Sequence, residues 1–581
     1  MKKSILVLGA FIGLLATSCG KMLVVTPPNA IYDEQIQELL AQGGEQAEQI
    51  INSFASPLPK YFDLTNIAIG SGSANISTNT IQGINLMNSF QGNNLAYGCN
   101  ATTTEEAYTG VTLYRLSNNL RNYIAPANGA HWYGYAYGMN QANLLLGYTK
   151  SLEKGNVYYK NDGAGRVVRA FCYMSLMEEY APAYCNMTDP TAEDSGISLY
   201  KEYKPSQNAA NPAKRSTAKE TYEFIVGDLD TAITWFKNAS VGYTKEDSQL
   251  EDIDLGVANF LKARAGLFIG DKKITTPKGE KSGWEICKEA CDEIITNGGY
   301  GFIKAENWGS RIDASQPAST YECFPEKNAF VCVRKAVNPE TILGYILGST
   351  NTAGAIQNGI LNIYGSYPES RYLMGRIDDR LYNKINDADC RKAAFVKDPI
   401  TKLVYGSGSE IDMPSYCNVK FAARYGLTAD GAGHTTADKA GDVEFCKFRY
   451  AEVVLMKAEA ELALSGASAA KTALAGLIDA RTSSALTVDT YMTALGMTDV
   501  KQFIKFNWDV EMWGENGAEY FVNKRMKVNI DRSGSAVHAD AKGVNGDWNK
   551  WQDMTLAFPE NEVLYNPNYA ADATNTPAAL N

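Results

Sequence analysis

A chain of 581 residues with 45% hydrophobic and 20% charged residues can bury its own core, so it needs neither a disulfide framework nor a structural metal to hold it. Its 54 Lys and Arg against 65 Asp and Glu leave a net charge of −11, with no basic block dense enough to grip a phosphate backbone, which makes nucleic acid a poor partner. Three histidines, His131, His434 and His538, stand far apart in no HExxH or His-x-His spacing, so a His-based metal site has almost nothing to be built from.

Met1-Lys2-Lys3 is a charged start, Ile5 to Leu15 an apolar run, and Ala16-Thr17-Ser18 sets small residues before Cys19. The run is too short to cross a bilayer, and a thiol behind small residues is what lipid attachment at a cleavage point requires. Residues 1–18 therefore read as a bacterial lipoprotein signal and Cys19 as the lipidated residue. Residues 19–31, with Thr26-Pro27-Pro28-Asn29, read as a stiff tether. Ten cysteines remain, in a compartment that permits disulfides, and their pairing is not legible.

From about 32 to 54 the pattern is helical, and from 61 to 110 it turns rich in Gly, Ser, Asn and Thr, an irregular length that usually carries function. Tyr135, Met139, Ala142 and Leu146 predict a helix; Ala170, Met174 and Met177 predict a second, which Pro182 stops. Thr217 with Glu220 forms a capping-box pattern ahead of an apolar stripe at Tyr222, Ile225, Leu229, Ala232 and Phe236. Ala258, Leu261, Ala265 and Phe268 give the next helix. In the one after it, Trp284, Cys287, Cys291 and Ile294 share a face, so those two cysteines read as buried thiols, and Gly298-Gly299 ends the element. Residues 301–447 are loop-rich with short strand-like runs such as Thr341 to Ile346. Helices then return with Ala451, Leu455, Ala458 and Leu462 before Gly466, and with a partner from about 468 to 481. Small residues at the contact positions and short turns predict stacked hairpins, hence a mainly α, tetratricopeptide-like, right-handed helical-hairpin scaffold with long irregular loops and a few short strands. The scaffold spans about 32–300 and 445–530 of one domain, 32–581, with 301–447 as its loop-rich, ligand-side part.

Arg449-Tyr450-Ala451-Glu452 through Ala460, the closing run Phe558-Pro559-Glu560-Asn561-Glu562 and the later Asn566-Pro567-Asn568 resemble signatures of the SusD/RagB family of outer-membrane nutrient-binding lipoproteins from the Bacteroidetes. Arg169-Ala170-Phe171, Asp228-Leu229 and Ala263-Arg264-Ala265 fall in that family's order. Glu511, Glu515, Gly517 and Arg525 fit its penultimate motif, whereas Glu519 stands where an Arg is usual. The resemblance implies a lipid-anchored outer-membrane protein at the cell surface. It would capture an oligomer, usually a glycan, and deliver it to a SusC-like TonB-dependent transporter without catalysis or cofactor. Peptide capture in the RagB manner is the alternative, and a surface glycan hydrolase a more distant one.

Sugar binding calls for aromatic faces framed by amides, carboxylates or guanidinium groups and presented on loops. Three stretches supply them: Tyr97 with Asn100; Trp308 and Tyr321 with Arg311 and Asp313; and Tyr364, Tyr367 and Arg371. Any of these aromatics also fits plain packing on the scaffold. The Trp132, Tyr133, Tyr135 and Tyr137 cluster has helical spacing and reads as core and helix contacts, while Asp378-Asp379 and Asp252 with Asp254 read as solvated acidic turns rather than metal ligands.

Overall fold

The computed structural model describes residues 33–62, 92–96, 126–309, 328–346, 375–405, 409–421, 444–540, 551 and 554–569. The leader, Cys19 and the tether lie outside them. Helices carry most of the described chain. The expected first helix is two, α1 (Asp33–Gln42) and α2 (Gly44–Ala55), because Gly43 and Gly44 both take positive φ, at 68° and 70°, where only glycine sits without strain. The early scaffold follows as α3 (Pro126–Thr149), α4 (Asn156–Tyr180), the short α5 (Pro205–Ala210), α6 (Ala218–Asn238), α7 (Leu255–Ile269) and α8 (Gly283–Asn297). Each long helix packs on the next, α3 on α4, α4 on α6, α6 on α7 and α7 on α8.

The ends of these helices are written locally. Thr217 Oγ1 accepts from the Glu220 N–H at 3.1 Å while Glu220 Oε2 accepts from the Thr217 N–H at 2.9 Å, closing the expected capping box. Ser282 and Glu285 repeat it at the start of α8. Ala181, held extended ahead of Pro182, stops α4 at Tyr180. At the α7–α8 crossing the backbones nearly touch: a Cβ added to Gly266 would lie 2.6 Å from the Gly283 carbonyl, so this contact demands glycine. Along α8, Cys287, Cys291 and Ile294 are fully buried; the two thiols are free, with 4.0 Å between sulfurs. Cys172, Cys185, Cys332, Cys390 and Cys446 are also free thiols.

The late scaffold is α10 (Tyr450–Leu464), α11 (Ala467–Thr482), α12 (Val488–Ala494), α13 (Val500–Glu511) and α14 (Ala518–Met526); α9 (Asp379–Lys384) precedes it, and α15 (Ala536–Asp540) and α16 (Glu560–Tyr565) end the described chain. Helix α10 lies on α8, continuing the hairpin stack across the intervening region. Strands number ten among the described residues: β1 (Leu95–Ala96), β2 (Lys273–Thr276), β3 (Gly279–Ser282), β4 (Thr341–Tyr345), β5 (Arg376–Ile377), β6 (Phe395–Val396), β7 (Ile400–Tyr405), β8 (Ser409–Met413), β9 (Cys417–Asn418) and β10 (Phe445–Arg449). They form the antiparallel pairs β2–β3, β7–β8 and β4–β10 and a four-stranded sheet of order β1-β5-β9-β6. Phe448 of β10 stacks on Phe260 of α7 at 4.4 Å and meets Phe171 of α4, so the late strand is plugged into the early helical core.

Two expectations need correction. Asp254 is not a solvated turn residue: it caps α7, accepts from the Thr244 N–H and hydroxyl at 2.6 and 2.7 Å, and burial pushes its carboxyl up to about 6. Asp378 is buried as the cap of α9 and takes the Arg380 guanidinium at 3.0 Å. Both positions obey helix-cap chemistry, a short carboxylate answering the unpaired N–H groups of a first turn. Asp252 is exposed, as expected.

Candidate functional site

The four-stranded sheet gathers the flanks of the candidate binding stretches. Leu95 pairs with Ile377 and Ala96 with Arg376, so the residue before Tyr97 lies beside the chain that closes the segment carrying Tyr364, Tyr367 and Arg371. Asn418 of β9 fixes that closing point, donating its N–H and its side-chain amide to the Gly375 carbonyl at 3.0 and 2.7 Å. The segment that carries Tyr321 is tied down at both ends on Lys420. Gly309, at φ 77°, sits so close that an added Cβ would meet the Lys420 Cα at 3.2 Å. Asn328, at the far end, donates to the Lys420 carbonyl at 2.9 Å. Three stretches far apart in sequence thus leave from, or return to, one small sheet. Tyr97, Asn100, Tyr321, Tyr364, Tyr367 and Arg371 themselves lie outside the described residues.

Trp308 corrects the sequence reading. It is fully buried, donates its indole N–H to Glu511 Oε1 at 3.2 Å, and lies edge-on to Phe330 with ring centres 5.0 Å apart. An indole so enclosed has no free face for a ligand; it belongs to the floor beneath the sheet.

That floor is built from charge. Glu511, at the end of α13, accepts from Arg449 at 2.7 Å, Arg481 at 2.8 and 3.0 Å and Arg391 at 3.2 Å. Glu340 bridges Arg449 and Arg481 at 2.8 and 2.5 Å, Glu515 bridges Arg449 and Lys420 at 2.7 and 2.5 Å, and Asp389 holds Arg391 at 2.6 Å. Four cations meet four carboxylates, so the cluster is neutral as a whole. Although burial opposes ionisation, the surrounding guanidinium groups keep the Glu511 carboxyl well below the usual range, whereas burial pulls Lys420 down to about 8. The cluster joins β4, β9 and β10 to α11 and α13 and so fastens the loop-rich region to the late helices. It gives roles to Arg449, Glu511 and Glu515, which the sequence flagged only through resemblance. Arg391, Lys420 and Glu340 it did not flag at all, since their partners are remote.

Glu519, the departure from the family pattern, also has a task here. Its carboxylate accepts from the N–H groups of Asn93 and Asn94 at 2.6 and 3.1 Å and so clamps the lead-in to β1. Burial, with Asp509 nearby, raises it to about 7. Among the described residues, no group of three or more His, Cys, Asp or Glu stands close enough to hold a metal ion, and no helix is long and apolar enough to cross a membrane.

Among the described residues, helical hairpins stack from α3 to α11, and the buried ionic cluster fastens the loop-rich region to the late helices. Residues 375–573 match the SusD family model. A SusD-like carbohydrate binding protein from Bacteroides vulgatus ATCC 8482 superposes with TM-score 0.60 at 17% identity, over 90% of this chain and 98% of that one. A SusD superfamily protein from Bacteroides thetaiotaomicron VPI-5482 gives 0.59 at 17% identity, over 93% and 99%. Surface glycan-binding protein A from Bacteroides thetaiotaomicron, solved in complex with laminarihexaose, gives 0.58 at 12% identity, over 90% and 98%. No curated protein sequence matches the chain. Residues 375–573 thus carry the sequence pattern of the SusD family, and the described chain shares the fold of SusD-like structures.

Proposed function

We propose that the protein is a nutrient-binding lipoprotein of the outer-membrane surface. Anchored through lipid on Cys19, it captures an oligosaccharide on the loop platform and delivers it to a SusC-like TonB-dependent transporter. The observation that carries the reading is the convergence on one sheet of the flanks of the stretches bearing Tyr97 and Asn100, Tyr321, and Tyr364, Tyr367 and Arg371. Aromatic faces beside amide and guanidinium groups are what a pyranose chain needs, C–H faces on rings and hydroxyls on polar tips. The laminarihexaose complex of a protein with this fold supports the ligand class.

Calorimetric titration of the mature chain against laminarihexaose, maltohexaose, cellohexaose and xylohexaose tests it. At least one oligosaccharide is expected to bind, and Tyr364→Ala with Tyr367→Ala to weaken it about tenfold or more, on the order of 1.4 kcal/mol. Unchanged affinity in that double variant would remove the site assignment. Co-purification of peptide rather than glycan with the transporter would favour the RagB-type reading.

A further inference from the structure

The closing motif does more than end the chain. Phe558 meets Trp132 at 5.4 Å and Tyr180 at 6.0 Å, and Tyr569 exchanges hydrogen bonds with Ser198, its oxygen accepting from the N–H at 3.0 Å and its hydroxyl donating to Oγ at 3.3 Å. Helix α16 is thereby held across the N-terminal half of α3 and the turn of α5, and between them lies an open groove of about 550 Å³. That volume falls within the roughly 300–1,000 Å³ of small-molecule sites. No described residue of the loop-rich region 301–447 lines it, so it is separate from the platform.

The lining points to one ligand chemistry. Trp132 and Tyr173 are buried side chains behind the wall of the groove, and Tyr565 stands at its rim with 78% of its surface exposed, the aromatic face the groove offers. The side chains of Asn140 and Asn208 line the groove and make no hydrogen bond to any described residue. The Tyr133 hydroxyl is buried with no partner in hydrogen-bond geometry, although Asn561 lies beside it. A wholly apolar occupant would leave these amides and this hydroxyl unpaired. An anion would meet Glu562, and no Lys or Arg lines the groove to offset it. A neutral ring bearing many hydroxyls satisfies both sets of groups: flat C–H faces against tyrosine, and donor–acceptor pairs against asparagine.

We propose that this groove is a second ligand site, which takes one or two pyranose units of a glycan between Tyr565 and α3, with Asn140, Asn208 and Asn561 reading the hydroxyls. The inference stands on the groove alone and does not draw on the platform reading.

The test is made in the full mature chain carrying Tyr364→Ala and Tyr367→Ala, so that platform binding does not mask the groove. Saturation-transfer NMR is run with glucose, galactose, mannose, xylose, N-acetylglucosamine and the four hexasaccharides named above. At least one sugar is expected to give a saturable signal. Adding Tyr565→Ala and Asn208→Ala is expected to weaken it about tenfold while the melting temperature stays unchanged, because Tyr565 is exposed and the half-buried Asn208 side chain makes no hydrogen bond to a described residue. Absence of a saturable signal for every sugar overturns the proposal. So does an affinity untouched by the two groove substitutions, or displacement of the sugar by a proline-rich peptide that binds the groove more tightly. If instead groove substitutions in the otherwise unaltered chain abolish binding that the platform substitutions leave intact, the groove stands and the platform reading falls.

Discussion

Between Ala218 and Asn297, three helices bury Tyr222, Ile225, Leu229, Phe260, Phe268 and Ile294, and what they exclude from water is mostly hydrocarbon. Where the four-stranded sheet and the β4–β10 pair meet the late helices, the excluded groups are Arg391, Arg449, Arg481 and Lys420 with four carboxylates. The two regions solve the same problem by different physics. Apolar burial is non-directional and tolerates a neighbour's small shift, which suits a stack of repeating hairpins. Ion-pair burial is directional and sets every partner's position, which suits a place where chain segments from six parts of the sequence must meet in one geometry.

Glu511 carries the heaviest load in the ionic region, serving three guanidinium groups and the Trp308 indole. Glu511→Gln is expected to cost about 3–5 kcal/mol, measured by denaturant unfolding, because it leaves buried positive charge uncompensated. Glu511→Gln combined with Arg449→Met should recover part of that loss, since removing both members of a buried pair is far milder than removing one. A loss under about 1 kcal/mol for the single variant would mean that the floor is not held by charge.

Glu452 is a charge buried within the helical region itself. It is a family-signature carboxylate buried in α10 with Oε2 unpaired, and burial pushes it up from 4.5 to about 7 against the opposing pull of Arg264 and Arg449. The sign follows from linkage. A carboxyl whose folded value is raised gives stability that is fully present below about 4.5 and is lost as pH climbs through about 7. Glu452→Gln should therefore flatten the fall in stability between pH 5 and 8 and gain on the order of 1–3 kcal/mol at pH 8. Midpoints of urea unfolding at the two pH values read it, and an equal gain or loss at both would refute the assignment.

Legibility in the sequence follows the same divide. The stripe of α6, the cysteine face of α8 and the Gly466 break between α10 and α11 repeat or punctuate within one element, so periodicity and turn chemistry reveal them. The split at Gly43-Gly44 and the caps at Asp254 and Asp378 carried local signals too, a glycine pair and an Asp ahead of an apolar run, and were readable in principle. Trp308 was not. What buries it is Glu511, some 203 residues onward, and nothing adjacent in sequence distinguishes it from a loop aromatic that faces water. The platform is illegible for the same reason, since strands of two residues such as β1 and β5 have no period to detect. The groove beside α16 likewise needs Trp132, Asn208 and Tyr565 to be brought together by contacts more than 300 residues apart in chain order, as in the bond between Tyr569 and Ser198.

The smallest expected effect isolates the purely local term. Thr217 caps α6 through two reciprocal bonds with Glu220, close to the surface and remote from the ionic floor. Thr217→Ala frees the N–H of Glu220, a loss of about 0.5–2 kcal/mol for an N-cap, and the exposure of the box to water keeps it toward the lower end. The cost should appear in the unfolding midpoint and leave oligosaccharide affinity unchanged, because among the described residues α6 packs chiefly on α4, α7 and β2 rather than on the four-stranded sheet. If Thr217→Ala also weakened binding, the early hairpins would be setting the platform's geometry, and the division between a tolerant helical stack and a rigid ionic floor would have to be redrawn.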